Sequence, residues 1–243
     1  MAQQRTMQQL VDAFLADLDA AIGATYAAVL FGSAARGDYV EGVSDVNVLL
    51  VLDEASPATL ARLERPLAAW YEAGQVAPLL ITRAEWARAQ DVFPIEVVDL
   101  QEAHRVLRGR DPVGDLTVNR AHLRLALEAD LRGKLLRLRR GYVALHRDPV
   151  AMSRLLLQSV PQLLLLLRAV IRLTAAEAPR EHEALARAAA GLIGFDAEAV
   201  LRVDRQRRED TPWRASGAEY EAYMAAVERT VAFVDSLTEG AKA

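Results

Sequence analysis

Between Leu30 and Asp53 the chain reads LFGSAARGDYVEGVSDVNVLLVLD, and few folds accommodate that order of apolar strand, glycine turn, polar loop and second apolar strand. Gly32-Ser33 ends the first strand and permits a tight turn whose backbone N–H groups face an incoming anion. A helix beginning at Ser33 or Ala34 adds its positive N-terminal end to the same spot. The outline is that of a phosphate cradle. From Ser44 the chain returns as a strand, and alternation puts Asp45, Asn47, Leu49 and Val51 on one face. A hard cation such as Mg²⁺ takes carboxylate, carbonyl and phosphate oxygens. Two oxygen-bearing residues two apart, beside a cradle, therefore make Asp45 and Asn47 candidate metal ligands. A Gly-Ser hairpin followed by a buried strand with one polar end is the plainer alternative at this point.

The order G-S, R-G, S-D-x-N resembles the DNA polymerase β-like nucleotidyltransferase superfamily, whose motif runs GS-x-x-RG through a loop to SD-x-D on a strand. Gly32, Ser33, Arg36, Gly37, Ser44 and Asp45 match as they stand. Asn47 stands where the family has a second Asp, which keeps an oxygen and removes a charge. The resemblance implies an NTP held at Gly32, Ser33 and Arg36, with Mg²⁺, or Mn²⁺ in its place, on Asp45, Asn47 and a third carboxylate. In the family that third group comes from a strand neighbouring SD-x-D and can act as base on the acceptor. The run FPIEVVDL, 93–100, reads as such a strand. Its likeness to D-x-x-D-L aligns Glu96 with the third carboxylate, ahead of Asp99. The alternative is that either acid caps the strand end or pairs with Arg105.

The remaining sequence divides in two. Residues 6–22 set Met7, Leu10, Val11, Phe14, Leu18 and Ile22 at helical spacing up to Gly23. Ser56-Pro57 starts a helix running to Gly74 with a kink at Pro66. Val76 to Ile81 reads as a short strand, and Thr82 with Glu85 as a capping box. Asp111-Pro112-Val113-Gly114 is a linker, and everything after it is helical. Leu123, Leu127, Leu131, Leu135, Leu138, Tyr142 and Leu145 form one apolar seam, closed by Asp148-Pro149. A leucine-rich helix follows to about Thr174, then helices over 181–190, stopped by Gly191, over 196–207, and from the Ser216/Glu219 capping box to about Leu237. The expectation is an α/β (α+β) nucleotidyltransferase domain with a mixed sheet over 1–116 and an all-α helical bundle over 117–243.

Charge follows the same division: residues 1–116 hold 9 Lys and Arg against 17 Asp and Glu, the rest 20 against 16. Lys134 lies beside the seam of the most basic helix, where it either reaches a bound triphosphate or snorkels into solvent. Basic residues are not interleaved with aromatics and the pI is near 5.7, which argues against nucleic acid. The absence of cysteine excludes thiol catalysis and disulfides; the four histidines are scattered and read as structural or surface residues. The run 155–173 contains Pro161, Arg168 and Arg172 and reads as a buried bundle helix rather than a membrane span. The N-terminus lacks the apolar core of a signal peptide, so cytoplasmic residence is expected. The functional expectation is Mg²⁺-dependent transfer of NMP from an NTP to a hydroxyl-type acceptor on a small molecule or protein, weakened by Asn47. Its competitor is a catalytically degenerate protein of the same fold that binds nucleotide, a second copy of itself, or a partner chain as toxin and antitoxin modules do.

Overall fold

The computed structural model describes residues 6–237, apart from 38, 42, 43, 89, 115 and 210. Its elements run α1 (Met7–Ile22), β1 (Ala27–Phe31), α2 (Ser33–Arg36), β2 (Asn47–Leu52), α3 (Pro57–Arg62), α4 (Glu64–Glu72), β3 (Leu79–Thr82), α5 (Arg83–Trp86), α6 (Pro94–Glu102) and β4 (His104–Arg108). Five helices follow: α7 (Arg120–Leu145), α8 (Pro149–Leu173), α9 (His182–Ile193), α10 (Glu198–Glu209) and α11 (Gly217–Ser236). The chain forms two compact units, Met1–Gln90 with Asp99–Thr117, and Asp91–Val98 with Val118–Ala243.

In the first unit the sheet order is β3-β2-β1-β4, with β1 antiparallel to β2 and β4, and β2 parallel to β3. Alternation sends Ala28 and Leu30 of β1 and Val48, Leu50 and Leu52 of β2 into a core with Val11, Phe14 and Leu18 of α1 and Trp70 of α4. Phe14 stacks on Trp70 with ring centroids 4.3 Å apart. Local chemistry sets the boundaries. Thr6 caps α1 in a reciprocal capping box with Gln9, and Ser56 accepts from Thr59 N ahead of Pro57. Pro66 breaks rather than bends its helix: the ring opposes the carbonyl four residues earlier, and α3 ends at that residue, Arg62.

The run 93–100 is not a strand. Residues 94–100 lie in α6, which Pro94 opens, as proline does at a first helical position. Ile95 and Val98, three apart, enter the core of the second unit. A short run in which every residue from Pro94 to Leu100 but Glu96 is buried does not distinguish a helix from a strand by periodicity. The expected strand is displaced to His104–Arg108, which pairs with β1.

The second unit packs α7 to α11 around α8. Met152, Leu156, Val160, Leu163, Leu167 and Val170 of α8 are all buried, so its apolar length is spent on neighbouring helices. Arg168, 2% exposed, lies within that helix because its guanidinium donates to the carbonyls of Pro179 and Arg180 at 2.7 and 3.1 Å. Tyr220 of α11 donates to the Leu138 carbonyl of α7 at 2.7 Å. Gly191 does not stop α9; it lies inside the helix, which ends at the left-handed Gly194.

Candidate functional site

The site begins where β1 ends. Gly32 has φ +71, and a Cβ there would stand 2.7 Å from Asn47 Nδ2. Conformation and space both require glycine. The same contact shows that the Asn47 side chain lies against the Gly-Ser turn. Pairing in the sheet produces this, since Asn47, the first residue of β2, is opposite Phe31, the last of β1. On the other side of Phe31 sits His104, so His104, Phe31 and Asn47 form one cross-strand row at the turn. The His104 ring is held between the Leu100 carbonyl, 2.8 Å from Nδ1, and Asp111 Oδ2, 3.3 Å from Nε2. Sequence reading sets this histidine aside, because nothing local marks a residue that becomes a neighbour only through strand pairing.

Past the turn, α2 is a single helical turn. Ala35 N and Arg36 N donate to the Gly32 carbonyl at 3.1 and 3.0 Å, and Gly37, with φ +89, closes it through Ser33 O at 3.0 Å. The Ser33 side chain makes no hydrogen bond among the described residues. Arg36, which the motif assigns to the nucleotide, is engaged with Asp99. Its Nη1 donates to Asp99 Oδ1 at 2.6 Å, with both side chains largely buried. A carboxylate 5% exposed requires a paired cation, and Arg36 supplies it.

The loop into β2 is closed by Ser44, whose Oγ accepts from Val40 N at 3.0 Å while its own N–H donates to the Val40 carbonyl at 2.8 Å. Asp45 follows, exposed. Val46 N donates to Gln75 Oε1 at 3.0 Å and anchors the strand start. Burial, with the carboxylates of Glu41 and Asp45, raises the Tyr39 phenol above its ordinary pKa.

The third carboxylate is the expectation most changed by the structure. β1, β2, β3 and β4 contain neither Asp nor Glu. β3, the parallel neighbour of β2, offers Leu79, Leu80, Ile81 and Thr82. Glu96 lies in the first turn of α6, in the segment belonging to the helical unit, and Asp99 in the first unit against Arg36. Among the described residues no group of three or more His, Cys, Asp or Glu is placed to hold a metal. Asp45 and the Asn47 amide oxygen remain. Mg²⁺ is commonly bound by one or two carboxylates with phosphate and water oxygens completing the octahedron, so this pair fits a cation completed by substrate phosphates and not a preformed protein cage.

Lys134 sits inside the helical unit, 2% exposed. Its Nζ donates to Ser159 O and Oγ at 2.9 and 3.0 Å, and Tyr223 also donates to that hydroxyl, at 3.1 Å. Desolvation, with help from Arg137 and against Asp130, lowers its pKa to about 8. A separate cavity of about 250 Å³, lined by Val51, Arg83, Trp86, Arg110, Pro112 and Leu116 among others, lies toward the opposite end of β2 and borders none of the motif residues.

Residues 11–104 match the family model described as a nucleotidyltransferase domain. Among solved structures, spectinomycin adenyltransferase AAD(9) from Enterococcus faecialis, determined with ATP and spectinomycin, is similar over 95% of this chain and 100% of its own, with a TM-score of 0.60 and 12% identity. No curated protein sequence matches the chain. Together, the turn at Gly32, the SD-x-N strand start and the mixed sheet make residues 11–104 a nucleotidyltransferase domain of the polymerase β-like superfamily.

Proposed function

We propose that the first unit binds a nucleoside triphosphate at the Gly32-Ser33 turn and transfers its nucleotidyl group to a hydroxyl of a small molecule. The new bond joins the acceptor oxygen to the α-phosphorus, the α–β anhydride bond breaks, the hydroxyl proton passes to base or water, and pyrophosphate leaves. The observation that carries this reading is the Asn47 amide against Gly32, which sets the SD-x-N strand start beside the proposed cradle. In-line displacement at phosphorus needs chiefly positioning and neutralisation of charge. Ser33 and the turn backbone would take phosphate oxygens; Asp45 with the Asn47 carbonyl would hold Mg²⁺, which supplies charge neutralisation. A small-molecule acceptor accords with the spectinomycin bound by the structural neighbour, and a cytoplasmic setting with the supply of NTP.

A second reading, nucleotide binding without turnover, is favoured by the lack of any carboxylate in the four strands. One experiment separates the two. Purified protein and Asn47→Asp are titrated with NTPs in the presence of Mg²⁺ or Mn²⁺ and assayed for transfer of labelled NMP. A neutral amide attracts a dication less than a carboxylate, so Asn47→Asp is expected to tighten Mg²⁺-dependent NTP binding by roughly 10-fold or more and to raise any transfer rate with it. Tighter binding with no transfer in either protein selects the second reading. No change in binding overturns the placement of the metal at Asp45 and Asn47.

A further inference from the structure

We propose that Asp99 is a positioning residue for the nucleotide: acting through Arg36, it holds the Gly32-Ser33 turn in the shape that receives phosphate. Asp99 thus serves the function proposed above, on which this role rests, from outside the turn. A helix of one turn does not hold itself, because forming the first hydrogen-bonded turn fixes several dihedrals for a single bond. α2 has four residues, and its backbone bonds close on Gly32 and Ser33 alone. Its far end needs an anchor from elsewhere in the fold. Arg36, the last residue of α2, donates its backbone N–H to the Gly32 carbonyl at 3.0 Å and its guanidinium to Asp99 at 2.6 Å. Asp99 is a fixed point, since Val97, Val98 and Leu100 beside it in α6 are all buried. From there the contacts return to their start. The Leu100 carbonyl lies 2.8 Å from the His104 ring, His104 pairs with Phe31 across the sheet, and Phe31 precedes Gly32. The turn is one side of a closed ring, and the ion pair is the link from α2 to α6.

The same pair could serve in the opposite sense, with Asp99 standing in for a phosphate and releasing Arg36 when one arrives. Burial decides between the two. The side chains are 12% and 6% exposed, and withdrawing one partner from a buried pair costs on the order of 100-fold or more in an equilibrium constant. An incoming phosphate would have to supply that before any net gain. A turn already held in shape asks nothing of the ligand, because the ordering is done before binding. The two senses give opposite signs when Asp99 is removed: a stand-in for phosphate leaves tighter nucleotide binding, a positioning residue weaker.

Asp99→Ala, Arg36→Ala and the double variant are compared with the wild type by titration with ATP and Mg²⁺, by urea unfolding, and by amide hydrogen exchange at positions 35 and 36. Each single change leaves one charge behind and should lower stability. The double removes both charges and should recover much of that loss, alanine suiting both helices. ATP affinity is expected to fall roughly 10-fold or more in all three, with faster exchange at both amides. A double variant that is stable yet weak in ATP binding is a result that a purely structural pair does not give. Asp99→Glu keeps the charge and should stand closer to the wild type. Wild-type affinity and exchange in the double variant, or tighter binding in Asp99→Ala, overturns the role of Asp99 and leaves the function proposed above standing. A wild-type protein that binds no NTP overturns that function instead. Exchange at 35 and 36 then still decides whether the pair holds the turn: faster in the double variant supports it, unchanged removes it.

Discussion

Gly32 and Asn47 hold each other in place. The glycine has no side chain because the amide occupies that space, and the amide is fixed because β2 starts opposite the end of β1. Both were readable from sequence, since a turn glycine and an i, i+2 alternation are local properties of the chain. The Arg36–Asp99 pair was not, because its members are 63 residues apart and only the fold brings them together. Lys134 likewise gave no sequence sign of its burial. Its folded pKa, about 8 against the ordinary 10.5, yields a prediction with a defined sign. Between those values the unfolded chain binds the proton that the folded protein releases, so stability rises as pH climbs from about 8 to about 10.5. Below that window both states are charged and the burial penalty is fully present. It amounts to at most about 3 kcal/mol. Lys134→Met should therefore raise the melting temperature at pH 7 and remove the mutant-to-wild-type difference near pH 10.5. Its NTP affinity should stay at the wild-type value, because the amine is engaged with Ser159.

Elements were legible where their ends carry side-chain chemistry. Thr82 with Glu85 and Ser216 with Glu219 form the reciprocal caps their spacing implies, and Asp148 caps α8 ahead of Pro149. α6 was not legible, since every residue from Pro94 to Leu100 except Glu96 is buried, and no polar side remains to reveal the period. β4 depends on a backbone detail that sequence also hides. Gly109, with φ +73, leads out of it, and a Cβ there would lie 2.6 Å from the Tyr26 carbonyl oxygen and 3.0 Å from Ala27 Cα. These neighbours are backbone and cannot step aside. Gly109→Ala is expected to cost on the order of 3 kcal/mol, read as a lowered midpoint in urea with an unchanged slope. A loss below about 0.5 kcal/mol would show that β1 and β4 tolerate separation at that end.

For the whole molecule, composition and charge foretold an acidic α/β part before a basic helical part, and the order of elements agrees. What they could not foretell is that 91–98 goes with the helical unit while 99–117 returns to the first. The backbone thus passes between the units three times, after Gln90, after Val98 and after Thr117. Ile95 and Val98 remain in the helical core whatever happens to the last of these junctions. A protease that cuts only near 117 should therefore not liberate a fragment. The nicked protein is expected to elute as one species on gel filtration and to come apart only in denaturant. Separation of the two pieces in native buffer would show that 91–98 leaves its place readily. For cloning, the halves behave as a woven joint rather than beads on a string, and a gene cut short at the apparent linker encodes an apolar tongue without its socket.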